Sequence, residues 1–195
     1  MSSFPIEPRL GPPGAGLPFP ERLVARMLFR YRAWRTPPPA SAAAITSERD
    51  RILAIGRRHG AAAGQRRILI PRLRGMEDSS RHWSVFMTVA HVAIVNRGVA
   101  ATMRDLLAGR VPSRVASTAA VKPPAQADAT ALADLEQSCS ALFAVRESHA
   151  SLRTPLRHVH PWFGRLDAQD WFFLAGFHLA LHRRQLEMIE AGLAG

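Results

Sequence analysis

The chain has 195 residues but only one cysteine, one lysine and one tyrosine, and its scarcities already exclude several classes of protein. The lone Cys139 cannot form an internal disulfide, which fits a reducing compartment. Aromatic residues make up 7% and β-branched residues are sparse, whereas Ala, Leu and Arg are abundant, so helix is favoured over sheet. No uninterrupted apolar run approaches the ~18 residues of a membrane span, and prolines interrupt the N-terminus where a secretory signal would be apolar. These absences predict a cytoplasmic protein without a membrane span.

Several catalytic signatures are also missing. No glycine-rich phosphate loop follows a predicted strand, and no serine nucleophile elbow is present. The segment from His178 to His182 lacks the Glu that follows the first His of a zincin motif, so the usual general base of that class is absent.

The positive charge is concentrated at one end of the chain. The formal net charge is +11, of which residues 1–75 carry +10 and residues 76–195 carry +1. Almost every basic residue is arginine, since Lys122 is the only lysine. Solvated charge is the simplest interpretation of this distribution, and nucleic-acid binding by the N-terminal segment is the alternative.

The sequence divides into an N-terminal part, residues 1–44, and a body, residues 45–195. Six prolines in residues 1–20 predict an extended arm. The pattern from Pro20 to Trp34 predicts a basic amphipathic helix that ends at Pro37. Its favoured interpretation is a helix packed on the body of the fold, and the alternative is a helix lying on an acidic surface.

The body predicts four main helices separated by proline-bearing connections. The first is capped at Thr46 or Ser47, the second runs from Trp83 to about Ala108, the third starts at Asp128, and the fourth follows an N-cap at Asp167. We therefore predict an all-α fold, an up-down-up-down antiparallel four-helix bundle with an N-terminal Pro-rich arm and an extra helix.

Three histidines are the candidate metal ligands. His178 and His182 lie four residues apart on the last helix, so their side chains share one face and can converge on one ion. His91 lies midway along the other long apolar helix and would supply a third nitrogen. Three imidazoles leave coordination positions open, which is the catalytic pattern of metal site. The alternative is that the histidines are merely hydrogen-bonded within a metal-free bundle.

Other residues near this pattern have lesser predicted roles. Gln185, one turn beyond His182, is placed to orient a ligand or a bound water, and Trp171 to line a pocket. His158 and His160 precede Pro161 in a loop and are interpreted as loop packing or hydrogen-bond donors behind the ligands. Cys139 is interpreted as a small buried hydrophobe.

Two stretches resemble the DinB-like superfamily. The run Ser80-Arg81-His82-Trp83-Ser84 before His91 is similar to the family's R-x-W-S at the start of a ligand-bearing helix. The run from His160 to Leu166 is similar to its H-P-x-F-G-x-L turn. His178, His182 and Gln185 then match its last-helix pattern H-x-x-x-H-x-x-Q.

The resemblance spans roughly residues 45–193 and implies a fold, a metal site and a class of activity. It implies an up-down-up-down four-helix bundle whose divalent metal (zinc, nickel or iron) is held by His91, His178 and His182. Known activities in the family are transferases and isomerases that use a low-molecular-weight thiol, so a thiol co-substrate and a small-molecule substrate are implied. Dimerisation through bundle faces is common in such folds.

The leading hypothesis is a DinB-like metal-binding bundle with thiol-dependent transferase or hydrolase chemistry at an open three-histidine site. No catalytic residue is assigned, and Glu147 and Glu187 are candidates for a base only by residue type. Metal occupancy is predicted to fall as the pH drops through the ordinary histidine pKa of ~6.5. The alternative hypothesis is a non-enzymatic interaction module whose basic N-terminal part binds nucleic acid or an acidic partner. Convergence of the histidines would favour the first hypothesis.

Overall fold

A computed structural model describes residues 8–195, and nearly all of their regular structure is helical. The helices are α1 (Phe19–Arg35), α2 (Pro38–Arg57), α3 (Ala61–Gln65), α4 (Val85–Leu107), α5 (Thr130–Glu147) and α6 (Ala168–Ala194). Four short strands, β1 (Ile68–Leu69), β2 (His82–Trp83), β3 (His158–His160) and β4 (Gly164–Leu166), pair antiparallel as β1 with β2 and β3 with β4. Short 3-10 turns cover Asp78–Ser80 and Ala119–Val121.

The four longest helices of the body, α2, α4, α5 and α6, form a bundle around one core. Each contributes fully buried apolar side chains, which are Ile45 and Ile52 from α2, Phe86, Met103 and Leu106 from α4, Leu135 and Leu142 from α5, and Phe172, Leu179 and Leu186 from α6. The predicted all-α four-helix bundle is therefore confirmed.

The order of helix directions differs from the predicted up-down-up-down. Helices α2 and α6 run parallel, because Ile45 lies against Gly176 near their starts and Arg58 pairs with Glu190 near their ends. Helix α4 runs opposite to α6, since Gln185 near the end of α6 donates to the carbonyl of Ser80, just before α4. The first, second and last bundle helices thus run up, down and up.

Helix α5 runs in the same direction as α4, so the order is up-down-down-up. Leu132 at the start of α5 lies against Gly56 at the end of α2, and Arg153 just after α5 pairs with Asp167 at the start of α6. The physical reason is the long connection of residues 108–129, which returns along the bundle to the end where α4 began. Its Lys122 hydrogen-bonds Ser79, close to that end. A connection of this length permits the crossover that a short loop would forbid.

The helix ends follow local sequence signals closely in two places. Asp167 caps α6 and forms a reciprocal capping box with Asp170, although that position carries Asp rather than Glu or Gln. The Ser84 hydroxyl caps α4 by accepting from the backbone of Met87.

The start of α2 was predicted wrongly at Thr46 or Ser47. The helix begins at Pro38, because a proline in the first turn loses no hydrogen bond and has a helical φ already. The predicted boundary at residue 44 therefore falls inside α2, and the division of the chain into two parts stays a prediction.

The N-terminal part contacts the body more than a free arm would. The backbone N–H groups of Gly14 and Gly16 donate to the Glu77 carboxylate, and that of Gly11 donates to Asp78. Leu17 is buried. Residues 1–7 of the predicted arm lie outside the described residues, but residues 8–18 form a docked segment.

Helix α4 is long and apolar enough to span a membrane by length and composition alone, which the sequence analysis did not anticipate. It is also the central helix of the bundle, and 72% of the apolar window is buried inside the fold. Such burial makes α4 weak evidence for a span, because a core helix of a globular bundle has the same composition.

Candidate metal centre

Helices α4 and α6 bring the three predicted histidines together. His91 comes from α4, and His178 and His182 come from consecutive turns of α6, which packs antiparallel to α4. One ligand atom from each imidazole can be chosen so that all three lie within 4.8 Å of one another. The Nε2 atoms of His91 and His178 are 3.1 Å apart. The structure thus assembles the residues that the sequence analysis selected.

Hydrogen bonds determine which nitrogen of two of these rings carries the proton. His91 Nδ1 lies 2.7 Å from the carbonyl oxygen of Val121, which can only accept, so Nδ1 bears the hydrogen and Nε2 keeps its lone pair. Gln185 Nε2 donates to the Ser80 carbonyl, which turns its amide oxygen towards His182 Nδ1 at 2.6 Å. His182 Nδ1 is therefore also protonated, and its Nε2 is free to bind a metal.

The cluster is buried and uncharged near neutral pH. Burial is the main cause that lowers the pKa of His91 and His178 well below the ordinary value, and it lowers the pKa of His182 to about 4. Neutral imidazole is the form that binds metal, so no proton has to be displaced at neutral pH. Because these pKa values are lowered, proton competition for a bound metal should begin below the pH of ~6.5 predicted from the sequence.

The geometry fits a divalent ion. Two imidazole nitrogens bound to one tetrahedral metal at ~2.0–2.1 Å lie roughly 3.3 Å apart, close to the 3.1 Å between His91 and His178. One ring nitrogen of His182 lies within 4.8 Å of a ring nitrogen of each of the other two histidines. Nδ1 of His178 is buried without a hydrogen-bond partner, so this ring is held by neighbours on its other nitrogen alone.

A cavity of about 300 Å³ adjoins the histidines. Most of its wall is apolar and aromatic, including Trp171 and Phe177 from α6. Glu77 is the only carboxylate among the described residues that line it. Trp171 Nε1 is buried without a partner, so it is available to donate a hydrogen bond. A small molecule with an apolar body can therefore occupy the space beside the cluster.

His160 belongs to this cavity but not to the cluster. Its Nδ1 accepts from the backbone N–H groups of Trp162 and Phe163, so its proton resides on Nε2. Burial lowers the pKa of His160 to about 3, which keeps the ring neutral. His158 also lines the cavity and likewise has a lowered pKa, mainly because of burial. Neither histidine belongs to the three-histidine group.

Two candidate bases and one candidate thiolate do not reach the site. Glu147 is exposed near the end of α5, and Glu187 is exposed and paired with Arg183. Cys139 is buried against Asn96 and Ser138, and burial raises the pKa of its thiol to about 11. A thiol with that pKa stays protonated at neutral pH. None of the three lines the cavity.

An ion pair at the cavity wall was not predicted from the sequence. The Lys122 ammonium lies 3.3 Å from the Glu77 carboxylate, hydrogen-bonds Ser79 and Ser80, and sits over the ring of Trp83. Trp83 in turn stacks on His182. Partial burial lowers the pKa of Lys122, and the pair with Glu77 opposes that shift only in part. The signal that could have found this residue is that it is the only lysine in a chain otherwise basic through arginine.

Glu77 is held by a ring of donors. Thr118, Ser79 and the backbone of Gly14 and Gly16 all donate to it, in addition to Lys122. Burial alone would raise the pKa of this carboxyl group, but these donors outweigh burial and hold the pKa below its usual value.

Fold and site together define a helical-bundle protein with a histidine cluster beside an apolar cavity. Residues 75–186, which include all three histidines and Gln185, match the DinB superfamily, and the chain belongs to that superfamily. None of the curated proteins matches the chain. A solved structure, the crystal structure of TT2238, a four-helix bundle protein, is similar with a TM-score of 0.56 and 23% identity. The match covers 77% of this chain and 98% of that one, and at this identity it shows the fold alone.

Proposed function

We propose that this chain binds one divalent metal ion through His91, His178 and His182, and that it is a metal-dependent enzyme acting on a small molecule held in the adjacent cavity. The observation that carries the proposal is the convergence of three imidazoles, of which His91 and His182 are buried and His178 is half-buried. The Nδ1 protons of His91 and His182 are directed to Val121 and Gln185. If His91 and His178 only hydrogen-bonded each other in the core, a third imidazole beside them would not be needed. By its resemblance to the DinB family, the ion is zinc, nickel or iron.

Three protein ligands leave at least one coordination position open. An ion held in this way acts as a Lewis acid and lowers the pKa of the thiol or water that it binds. The chain's own contribution is to orient the ligands and to provide a mostly apolar wall that excludes water around a substrate. The proton on His160 Nε2 and the unpartnered Trp171 Nε1 are donors available for polar groups of that substrate.

Transfer to a low-molecular-weight thiol fits the cavity better than base-assisted hydrolysis. Hydrolysis in which a carboxylate deprotonates the attacking water needs a free general base, and Glu77 is the only carboxylate among the described cavity residues. Its lone pairs are engaged by several donors and its pKa is lowered, so it is a poor proton acceptor. A thiol already acidified by the metal needs no such base. The Lys122 ammonium at the wall would further favour an anionic sulfur.

The interaction-module alternative receives less support. The histidines converge, and three arginines of the predicted basic stretch form ion pairs with other parts of the chain. Arg57 pairs with Glu136, Arg58 with Glu190 and Arg72 with Glu21. These pairs neutralise part of the basic charge of residues 49–74 and leave that of α1 unchanged.

Metal analysis of the purified protein tests the proposal. After reconstitution with Zn²⁺, Ni²⁺ or Fe²⁺ and removal of loose metal, we expect about one ion per chain, reduced in each single His→Ala variant and abolished in His178→Ala/His182→Ala. His149→Ala is the matched control, because His149 lies outside the cavity and bonds only Ser148 and a local carbonyl. Stoichiometric metal in the double variant, or none in the wild type, would contradict the proposal.

Cobalt substitution tests the thiol step separately. The Co²⁺ form should show the visible absorption of a four- or five-coordinate site, and adding a small thiol should produce a near-ultraviolet sulfur-to-cobalt absorption. Lys122→Gln should weaken thiol binding, whereas Arg184→Gln, an exposed change on α6, should not. A cobalt spectrum that no thiol perturbs would leave metal binding intact and refute thiol-dependent transfer.

A further inference from the structure

Helix α1 has an apolar face that points away from the rest of the protein. Seven large side chains on this 17-residue helix are 51% to 70% exposed. They are Phe19, Leu23, Val24, Met27, Leu28, Tyr31 and Trp34. The helix is attached to the body by its opposite side, where Phe29 is fully buried and stacks on Phe163, and where Ala33 is buried. Contiguous apolar exposure of this kind marks an interaction surface.

Arginines border this apolar face on both sides. Arg22, Arg26 and Arg30 recur every fourth residue and so form one edge, while Arg32 and Arg35 lie towards the other edge. All five are exposed. The only acidic residue of the helix, Glu21, turns inward to Arg72 and the backbone of Gly75. The outward surface of α1 therefore combines apolar side chains with uncompensated positive charge.

We propose that α1 binds the surface of an anionic lipid bilayer, lying parallel to the membrane plane with its exposed apolar face among the acyl chains. At about 1.5 Å per residue the helix is about 25 Å long, so it can rest on a bilayer surface along its whole length. Arginines at the edges would reach anionic headgroups while their alkyl stems cover apolar area. Tyr31 and Trp34 have the amphipathic rings that favour the boundary between headgroups and acyl chains.

The charge and apolar surface of α1 favour an anionic bilayer over a second copy of the chain or a nucleic acid. A second copy of the chain meeting face to face would bring the arginine edges of two helices together without acidic partners. A nucleic acid would satisfy the arginines through its phosphates but would leave the seven apolar side chains in water. An anionic bilayer satisfies both the charge and the apolar surface.

Sedimentation with lipid vesicles tests the proposal on the full chain. We expect strong binding to vesicles of equal parts phosphatidylcholine and phosphatidylglycerol, weak binding to phosphatidylcholine alone, and weakening by salt. Leu23→Ser/Met27→Ser/Trp34→Ser should reduce partitioning more than tenfold, since three partly exposed apolar groups are lost. Arg22→Gln and Arg30→Gln should each reduce it about fivefold.

A matched control and two independent readouts sharpen the result. Val111→Ser/Arg184→Gln changes one exposed apolar and one exposed basic residue away from α1 and should bind vesicles as the wild type does. The α1 variants should keep the melting temperature and metal content of the wild type, and His178→Ala/His182→Ala should keep vesicle binding. Brominated lipid should quench a fluorescence component that Trp34→Phe removes.

Three outcomes would overturn the proposal. One is the absence of binding to the anionic vesicles. Another is a wild-type dimer in solution that the apolar triple variant converts to a monomer, which would make this face an interface between copies. The third is tight, salt-sensitive DNA binding that the triple variant retains while vesicle binding is weak, which would assign the arginines to nucleic acid.

Discussion

Helices α6 and α1 are both amphipathic by sequence, yet the apolar face is buried in α6 and largely exposed in α1. In α6, Trp171, His182 and Ile189 are buried, and His178 is partly buried beside the cavity. In α1, which was predicted to pack on the body, Leu23 and Met27 are exposed and Phe29 makes the contact with the body. The comparison teaches that a helical period shows which residues share a face, whereas only the neighbouring elements decide which face is buried.

A Leu→Ala substitution should affect the free energy of unfolding very differently in the two helices, and this is the largest expected effect. Leu186→Ala in the α6 core should lower the free energy of unfolding by about 2–5 kcal/mol, because it removes a fully buried side chain and leaves a cavity. Leu28→Ala on the outward face of α1 should change it by less than about 0.5 kcal/mol. Urea unfolding of both variants measures the difference. A loss above about 2 kcal/mol for Leu28→Ala would show that the α1 face is covered in solution.

The second prediction concerns how the stability of the metal-free protein depends on pH through His182 of α6. The unfolded chain protonates its histidines below about pH 6.5, whereas folded His182 does so only near 4. Stability contributed by the neutral ring is therefore complete above about pH 6.5 and is lost as the pH falls towards about 4. Protonation of His182 should lower the free energy of unfolding by roughly 3 kcal/mol over this pH range. The His182→Ala variant should therefore lose less stability than the wild type does. A melting temperature that is flat over this window, with no metal bound, would contradict the burial of a neutral ring.

The third prediction concerns Gln185, which accepts a hydrogen bond from His182 and is proposed to orient its ring. Gln185→Ala should weaken metal affinity about 10- to 100-fold, because His182 loses the acceptor that keeps its Nδ1 protonated and its ring oriented. Competition with a chromogenic chelator measures the affinity. Gln185→Glu retains an acceptor for His182 Nδ1 and should bind metal more tightly than Gln185→Ala. Equal affinities for wild type and Gln185→Ala would remove Gln185 from the metal centre.

The smallest effect concerns how the two helices begin. Asp167→Ala should destabilise the fold by about 1 kcal/mol, since it removes the side-chain cap of α6 and a partner of Arg153. Helix α1 begins at Phe19, and its N-cap residue Pro18 makes no side-chain hydrogen bond, so Pro18→Ala should have a smaller effect. Thermal unfolding can compare the two. A larger loss for Pro18→Ala would mean that the entry to α1 is more important than its contacts suggest.

The three-histidine cluster was predictable, whereas the groups around it were not. The four-residue spacing of His178 and His182 places them on one face of any helix, and Asp167 specifies where that helix begins. Val121 and Lys122 come from an irregular connection, and no period relates them to the histidines. Glu77 joins the N-terminal segment to that connection through its donors. Contacts of this kind depend on the path of the chain through space.

Sequence by itself determined the helices, the cap of α6, the three histidines and the excess of arginine at the N-terminus, because these follow from local chemistry and short-range spacing. Tertiary structure alone decided the up-down-down-up order, through the return of residues 108–129 along the bundle. It also decided the burial that lowers the pKa of the histidines, and the outward orientation of the α1 apolar face. The physical reason is that burial and long-range contacts depend on how all the elements pack together, which the local pattern of one segment does not contain.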